Sequence, residues 1–240
     1  MRYVGGKSRL AKSIAEAVQS RRAGRSKYIE PFMGGGATFA RMAPMFDQAS
    51  AGDVVEDLVL LWTAARNGWE PPTDVDDTLY NTLRDAGPSP VRGFVGFGCS
   101  FGGKWFGGRA KGGYNADGTP RNHAAESARA VLRLAPKMHG TDIRLRGYQD
   151  WTPDADTVVY CDPPYAGTQA YGAAGAFDSA MFWKTAESWV ADGALVLVSE
   201  YEAPDGWVPV LTREHRQSLQ HGKEGRPKTT ETLWVHVSQL

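Results

Sequence analysis

The chain has 240 residues, of which 42% are hydrophobic and 22% charged, and its formal net charge is zero. This length fits one large domain, and the hydrophobic fraction suffices for a buried core, so global disorder is excluded. No stretch approaches the roughly 18 apolar residues of a membrane-spanning helix, and Cys99 and Cys161 form neither a disulfide framework nor a zinc motif. We therefore expect a cytoplasmic protein that needs no metal.

The predicted elements alternate between helices and strands, because apolar spacing switches repeatedly between the helical and the extended pattern. In chain order we expect a helix at 8–20, a strand at 27–30, a glycine-rich turn at 31–36, a helix at 37–45, a strand at 49–53, a helix from 54, a helix near 124–138, a strand at 143–147, a buried strand at 157–161, a helix around 182–189, a buried strand at 194–198 and a terminal hairpin of 208–211 with 232–237. This alternation predicts an α/β fold with a mostly parallel sheet.

The segment 68–121 differs in composition from the rest of the chain. Eleven glycines lie between Gly87 and Arg121, too many for a regular helix or a central strand. The same stretch carries five Lys and Arg residues against Asp117 alone, so a basic patch is possible on a neutral protein. We interpret the segment as an insertion with irregular structure of its own.

Two glycine-rich sequences differ in their context. Gly5-Gly6-Lys7-Ser8 resembles the end of a phosphate-binding loop, but Met1 occupies the position of the required first glycine. The turn 30–36 follows a predicted strand and opens a helix, where a ligand can approach the backbone closely. Asp53 ends the next strand about 20 residues later, a spacing typical of an acid that binds ribose hydroxyls. An adenosine-containing ligand is therefore predicted, with helix capping by Asp53 as the alternative.

Asp162-Pro163-Pro164-Tyr165 directly follows the predicted strand 157–161. The prolines stiffen the backbone, so the motif presents a carboxylate, free carbonyls and an aromatic ring at the sheet edge. Adenine's exocyclic amine is a poor nucleophile, and a carboxylate with a carbonyl can accept its two N–H groups and stabilise the developing positive charge. Methylation of such an amine needs no cysteine nucleophile. The alternative is a proline-rich turn without chemistry.

Together these motifs resemble, in the same order, those of the Dam-type or D12-class N6-adenine DNA methyltransferases of bacteria and phages. The resemblance implies a Rossmann-like sheet with helices on both faces, formed by 1–67 and 122–240, and an inserted target-recognition region at 68–121. It implies S-adenosyl-L-methionine as cofactor, S-adenosyl-L-homocysteine as product and double-stranded DNA as substrate. A role in DNA modification or restriction-modification follows, in the host cytoplasm if a phage encodes the protein.

The resemblance also implies roles for individual residues. The catalytic residues are Asp162, Pro163, Pro164 and Tyr165. The cofactor-binding residues are Tyr3, Gly5, Gly6, Lys7, Glu30, Pro31, Phe32, Gly34, Gly35, Gly36, Asp53, Tyr148 and Asp162. DNA contacts are assigned to Lys104, Arg109, Lys111, Tyr114, Asn115 and Tyr171.

Two positions depart from the family's pattern. Asp53-Val54-Val55 stands where the family often has Asp-Ile-Asn. Gly147 stands where the family commonly has an acid, just before Tyr148, which the resemblance places in the pocket for the cofactor's adenine. Both Asp53 and Asp162 remain, so we expect activity to survive these changes.

Other functions stay open at this stage. An amino-methyltransferase acting on cytosine N4 or on RNA shares much of the chemistry, although the N4 enzymes more often have serine at the position of Asp162. A catalytically silent DNA-binding subunit would usually lack the carboxylate or the glycine turn. A dinucleotide-binding oxidoreductase has no use for the Asp-Pro-Pro-Tyr motif. Within the insertion, Trp105, Phe106 and Tyr114 either contact DNA or form a small core.

Overall fold

The computed structural model describes residues 1–164, 177–216 and 228–240. Two predicted site residues, Tyr165 and Tyr171, lie outside these ranges.

Within the described residues, seven strands form one mixed sheet in the order β3-β2-β1-β4-β5-β7-β6. The strands are β1 Lys27–Glu30, β2 Gln48–Asp53, β3 Asp142–Leu145, β4 Thr157–Cys161, β5 Leu195–Glu200, β6 Trp207–Arg216 and β7 Lys228–His236. The first five are parallel, whereas β7 runs antiparallel to both β5 and β6. Consequently β1, β2, β4 and β5 all end at one edge of the sheet, and β7 begins there.

Helices cover both faces of this sheet. They are α1 Ala11–Gln19, α2 Ala37–Met42, α3 Glu56–Arg66, α4 Asp77–Arg84, α5 Pro90–Gly93, α6 His123–Leu134 and α7 Ser179–Ala191. One core cluster joins the first three helices and α6 to the side of the sheet that carries Tyr28 and Val158. The other joins α7 to the side that carries Val159 and Val196. The predicted Rossmann-like α/β class is therefore confirmed.

Local sequence explains the central elements. Every residue of β4 (Thr-Val-Val-Tyr-Cys) is buried, as expected for a β-branched apolar strand with helices on both faces. The helices α4, α6 and α7 have the N-cap residues Asp76, Asn122 and Asp178. The side chain of each accepts a hydrogen bond from a backbone N–H of the first helical turn. The terminal hairpin is also confirmed, although its strands are longer than the sequence predicts.

The glycine-rich insertion contains helical structure. Pro90–Gly93 is α-helical and Phe94–Gly98 continues it as a π-helical turn, so the expectation that glycines exclude a helix is wrong there. The physical reason is close packing: a Cβ on Gly93 would lie 2.3 Å from the carbonyl oxygen of Asp57. Phe94 and Val95 belong to the main core cluster, so the insertion shares its core with the sheet.

Candidate functional site

Acidic side chains gather at the carboxyl edge of the sheet. β1 ends at Glu30, β2 at Asp53 and β5 at Glu200, while Asp162 directly follows β4. The strand order reverses between β1 and β4, so Glu30 and Asp162 flank the switch point at which open α/β sheets bind ligands. Glu30 and Asp53 are buried, and Asp162 is partly exposed.

Lys7 reaches this edge from the N-terminal segment. Its Nζ lies 2.7 Å from Oδ1 of Asp162 and 3.2 Å from Oε1 of Glu231, and it donates to the Gly5 carbonyl over 3.0 Å. Burial lowers the pKa of Lys7, but attraction by the two carboxylates outweighs it, so the net pKa lies above its ordinary value. The structure thus joins a predicted cofactor-binding residue to the predicted catalytic carboxylate through a charged contact.

Glu30 is held inside the sheet edge. The Tyr28 hydroxyl donates to its Oε2 over 2.6 Å. Burial raises the pKa of Glu30 well above its ordinary value, and the charge of Asp162 adds to this, while hydrogen bonds from Tyr28 and the backbone N–H of Phe39 oppose it. Its carboxyl group therefore takes up a proton more readily than an exposed one.

The glycine turn lies against Tyr3. A Cβ on Gly34, whose φ is 46°, would lie 2.7 Å from Cε1 of Tyr3, and a Cβ on Gly35 would lie 2.8 Å from its Cβ. The turn therefore needs glycine partly because the N-terminal segment packs on it. Tyr3, Gly34 and Gly35, all predicted to bind cofactor, are neighbours in the fold, with Gly6 also within reach of Tyr3.

Asp53 ties the end of β2 to the glycine turn. The backbone N–H of Gly34 donates to its Oδ2 over 2.9 Å, and that of Val55 donates to its Oδ1 over 3.0 Å. Burial raises the pKa of Asp53 from 3.8 to about 6, although these backbone hydrogen bonds act in the opposite direction. The predicted alternative, a surface acid that caps the following helix, does not hold, because Asp53 is buried and α3 begins after Val55 without a side-chain cap. The ribose-binding role stays a prediction.

Asp53→Asn tests whether burial raises the pKa of Asp53, through the pH dependence of the free energy of unfolding. Because the pKa is raised from 3.8 to about 6, the stabilising effect of its proton is complete below 3.8 and is lost as the pH rises through about 6. We expect the free energy of unfolding of the wild type, relative to the variant, to fall by roughly 3 kcal/mol over that interval. Urea unfolding at a series of pH values measures it, and a constant difference would contradict the assignment.

An aromatic cluster lies beside the turn. The rings of Phe32 and Tyr148 stack with centroids 5.5 Å apart, and Phe177 and Phe182 pack edge-on against Phe32. The Tyr148 hydroxyl is buried and meets no hydrogen-bond partner among the residues that the structure describes. A buried hydroxyl of this kind calls for a polar group, such as a bound ligand or water. Phe32 and Tyr148 were predicted to bind the cofactor from separate motifs, and the fold brings their rings into contact.

Asp77 changes the expected basic patch. The Asp77 carboxylate accepts hydrogen bonds from Arg109 Nε and Lys111 Nζ, each over 2.7 Å. Two of the residues predicted to contact DNA are therefore ion-paired within the insertion. Hydrogen bonds from Arg109 and Lys111 hold the pKa of Asp77 well below its usual range. Lys104 is exposed and has no ion-pair partner in the described part of the chain. Lys104 is therefore the better-placed cation for an external anion.

The insertion's aromatic residues divide into two groups. The ring of Trp105 packs at a tilt against that of Phe97, with centroids 4.7 Å apart, and Phe106 packs edge-on against Tyr80 at 5.2 Å. These rings therefore form the internal core that was the alternative to DNA contact. Tyr114 is 74% exposed. Its neighbour Asn115 donates through Nδ2 to Thr119 over 2.9 Å, which closes a tight loop beneath it.

Some residues of the site were not predicted from the sequence. Glu231, buried against Lys7, is the clearest, and the buried hydroxyls of Tyr160 and Ser199 meet over 2.9 Å below the same edge. One signal for Glu231 exists: it alternates with Leu233 and Val235 along β7, and all three are buried. The alternation places Glu231 on an inward face.

Within 1–164, 177–216 and 228–240, no three His, Cys, Asp or Glu side chains come together as a metal site. No helix in those ranges is long and apolar enough to cross a membrane.

Comparison with protein families gives a match over part of the chain. Residues 3–84 match the model of the D12 class N6 adenine-specific DNA methyltransferases. This span holds Tyr3, Lys7, the glycine turn and Asp53, so the resemblance is confirmed over it. Asp162 lies beyond the matched residues. Among curated proteins, nothing matches.

Solved structures resemble the chain only distantly. A candidate RNA methyltransferase from Pyrococcus horikoshii is 8% identical with a TM-score of 0.44, covering 95% of this chain and 83% of that one. An rRNA methylase from Streptococcus thermophilus is 8% identical with a TM-score of 0.39, covering 94% and 95%. A tRNA methyltransferase from Aquifex aeolicus is 9% identical with a TM-score of 0.38, covering 95% and 68%. At these TM-scores we draw no functional conclusion from them.

Proposed function

We propose, on the premise that residues 3–84 match the D12 class of N6 adenine-specific DNA methyltransferases, that this protein methylates adenine N6 in DNA. The methyl donor is S-adenosyl-L-methionine. The observation that carries the proposal is the position of Asp162, directly after β4 at the switch point and held by Lys7 over 2.7 Å.

The residues present fit such a donor. The Tyr148 hydroxyl, which has no hydrogen-bond partner among the described residues, and the ring of Phe32 offer a polar group and a stacking surface for an adenine. Asp53, at the end of β2, stands where a ribose-binding acid is expected. S-Adenosyl-L-methionine would supply an electrophilic methyl group on its sulfonium sulfur and leave as S-adenosyl-L-homocysteine. The glycine turn and Tyr3 would line the remaining surface.

The chain's own groups then account for the reaction. Asp162 and the backbone carbonyl beside it accept the N–H groups of adenine N6, so the nitrogen lone pair points at the methyl carbon. With the donor bound, the N–C bond would form as the donor's C–S bond breaks, the bonding electrons would go to sulfur, and N6 would become positively charged. The Asp162 carboxylate stabilises this charge, and the amine then loses one proton to the carboxylate or to water. Pro163 and Pro164 restrict the backbone that holds these acceptors.

The substrate adenine must leave the duplex to reach this edge. The exposed Tyr114, Lys104 and Asn115 belong to an insertion whose segment around Gly103 packs on Tyr3, so a nucleic acid bound there would lie next to the site. We propose that residues 68–121 are the target-recognition region. Tyr165 and Tyr171 are proposed to contact the extruded base.

A methyl-transfer assay tests the function. The protein is incubated with labelled S-adenosyl-L-methionine and unmethylated genomic DNA, the DNA is digested to nucleosides, and the product is identified by mass spectrometry. We expect N6-methyldeoxyadenosine. N4-methyldeoxycytidine, methylation of an RNA substrate alone, or cofactor binding without transfer would each replace the proposal with one of the alternatives.

Lys104→Ala tests the DNA surface. Because Lys104 is exposed and unpaired in the described part of the chain, loss of one phosphate contact should make the slope of log K against log salt shallower by about one. Fluorescence anisotropy with duplex DNA at several salt concentrations measures the slope. Lys184→Ala, an exposed lysine on α7 at the opposite face of the sheet, serves as the matched control. Equal slopes for both variants would place Lys104 away from DNA.

A further inference from the structure

Glu231 reaches the site from β7, an element that the proposed chemistry leaves unassigned. β7 runs antiparallel to β5, with Thr232 opposite Glu200. The start of β7 therefore lies at the edge where β1, β4 and β5 end. The Glu231 side chain is 9% exposed, and its Oε1 lies 3.2 Å from Nζ of Lys7.

Asp162, Lys7 and Glu231 form a trio of charged side chains. The Lys7 side chain is 5% exposed and that of Asp162 is 20% exposed, so water screens these charges only weakly. The carboxylates of Asp162 and Glu231 share the Lys7 ammonium, which also donates to the Gly5 carbonyl.

We propose that Glu231 is a positioning residue for methyl transfer, which holds the Lys7 ammonium between two carboxylates and so keeps it in place beside Asp162. This inference rests on the proposed function. Adenine N6 becomes positive as the methyl group arrives, and the Asp162 carboxylate stabilises that charge only when it is correctly oriented. The second acceptor also fixes the Lys7 ammonium, which in turn orients the Asp162 carboxylate.

Glu231→Gln keeps the shape of the side chain and removes its charge. We expect the single-turnover rate of N6-methyladenine formation to fall about tenfold, less than for a group that touches the base, because Glu231 acts through Lys7. The KM values for S-adenosyl-L-methionine and DNA should change little. Glu202→Gln, which neutralises an exposed carboxylate shortly after β5, is the matched control and should keep the wild-type rate.

Glu231→Asp distinguishes charge from packing. It keeps the carboxylate on a shorter side chain, so its rate should lie closer to the wild type than that of Glu231→Gln. Thermal unfolding midpoints of all variants show whether a slow rate reflects a damaged fold. If Glu231→Gln does not fold, Glu231→Asp carries the test. The inference would be overturned if Glu231→Asp folds but methylates as slowly as a variant with an unrelated substitution in the core.

A double-mutant cycle with Lys7→Met gives the decisive comparison. If Glu231 acts through Lys7, the tenfold effect should disappear in the Lys7→Met background. An equal loss in both backgrounds, or no loss in the wild-type background, would overturn the role of Glu231 while leaving the proposed function intact. A wild-type protein that makes no N6-methyladenine would instead refute the proposed function, and the inference with it.

Discussion

Asp162→Ala is expected to abolish adenine methylation, with a loss of at least about a thousandfold in turnover. The variant removes the carboxylate that accepts the amine N–H and stabilises the positive charge on N6. Lys7 keeps Glu231 as its partner, and the Asp162 side chain is 20% exposed, so we expect the fold to survive. Turnover is measured with labelled S-adenosyl-L-methionine, and the fold by circular dichroism and thermal unfolding.

Two further variants sharpen this result. Asp162→Asn keeps the shape and one hydrogen-bond acceptor but loses the charge, so its activity should lie between those of the alanine variant and the wild type. Asp205→Ala changes an exposed aspartate in the turn before β6 and should leave turnover unchanged. Normal turnover in Asp162→Ala would show that another group polarises the amine.

The second large effect is expected from Gly103→Ala. Gly103 has a φ of 69°, and a Cβ there would lie 2.7 Å from the backbone N and Cα of Tyr3. The backbone N–H of Val4 also donates to the Gly103 carbonyl over 3.1 Å. The added methyl group must displace the segment that carries Tyr3 and Lys7. We therefore expect a loss of roughly 3 kcal/mol in stability, from strain and overpacking together.

The same displacement should weaken the methyl donor's binding. We expect its Kd, measured by isothermal titration calorimetry, to rise by about tenfold or more, since Tyr3 and Lys7 would both move. Gly108→Ala is the matched control, because Gly108 has a φ of 96° but a Cβ there meets nothing within 4 Å. Gly108→Ala therefore introduces the backbone strain of a positive φ without a steric clash. Equal losses in both variants would show that contact with Tyr3 does not matter.

The sequence by itself determined the sheet's central strands and the order of the motifs. β1 coincides with the predicted 27–30 and β4 with 157–161. For β4 the reason is local, because a β-branched apolar run that ends just before a proline pair encodes a buried parallel strand. Parallel strands that end at one edge bring the glycine turn, Asp53 and Asp162 together without further information. The sequence therefore sufficed to predict where the candidate site lies in the fold.

The tertiary structure alone decided which charges meet. Glu231 is 224 positions from Lys7 in the chain, and it contacts Lys7 only because β7 enters the sheet antiparallel beside β5. Likewise Asp77 pairs with Arg109 and Lys111 because the start of α4 lies beside residues 109–111 in the fold. The predicted basic patch therefore keeps fewer cations without an ion-pair partner in the described part of the chain. Composition counts charges, but only the packing of distant segments determines their partners, since a salt bridge needs atoms within about 4 Å.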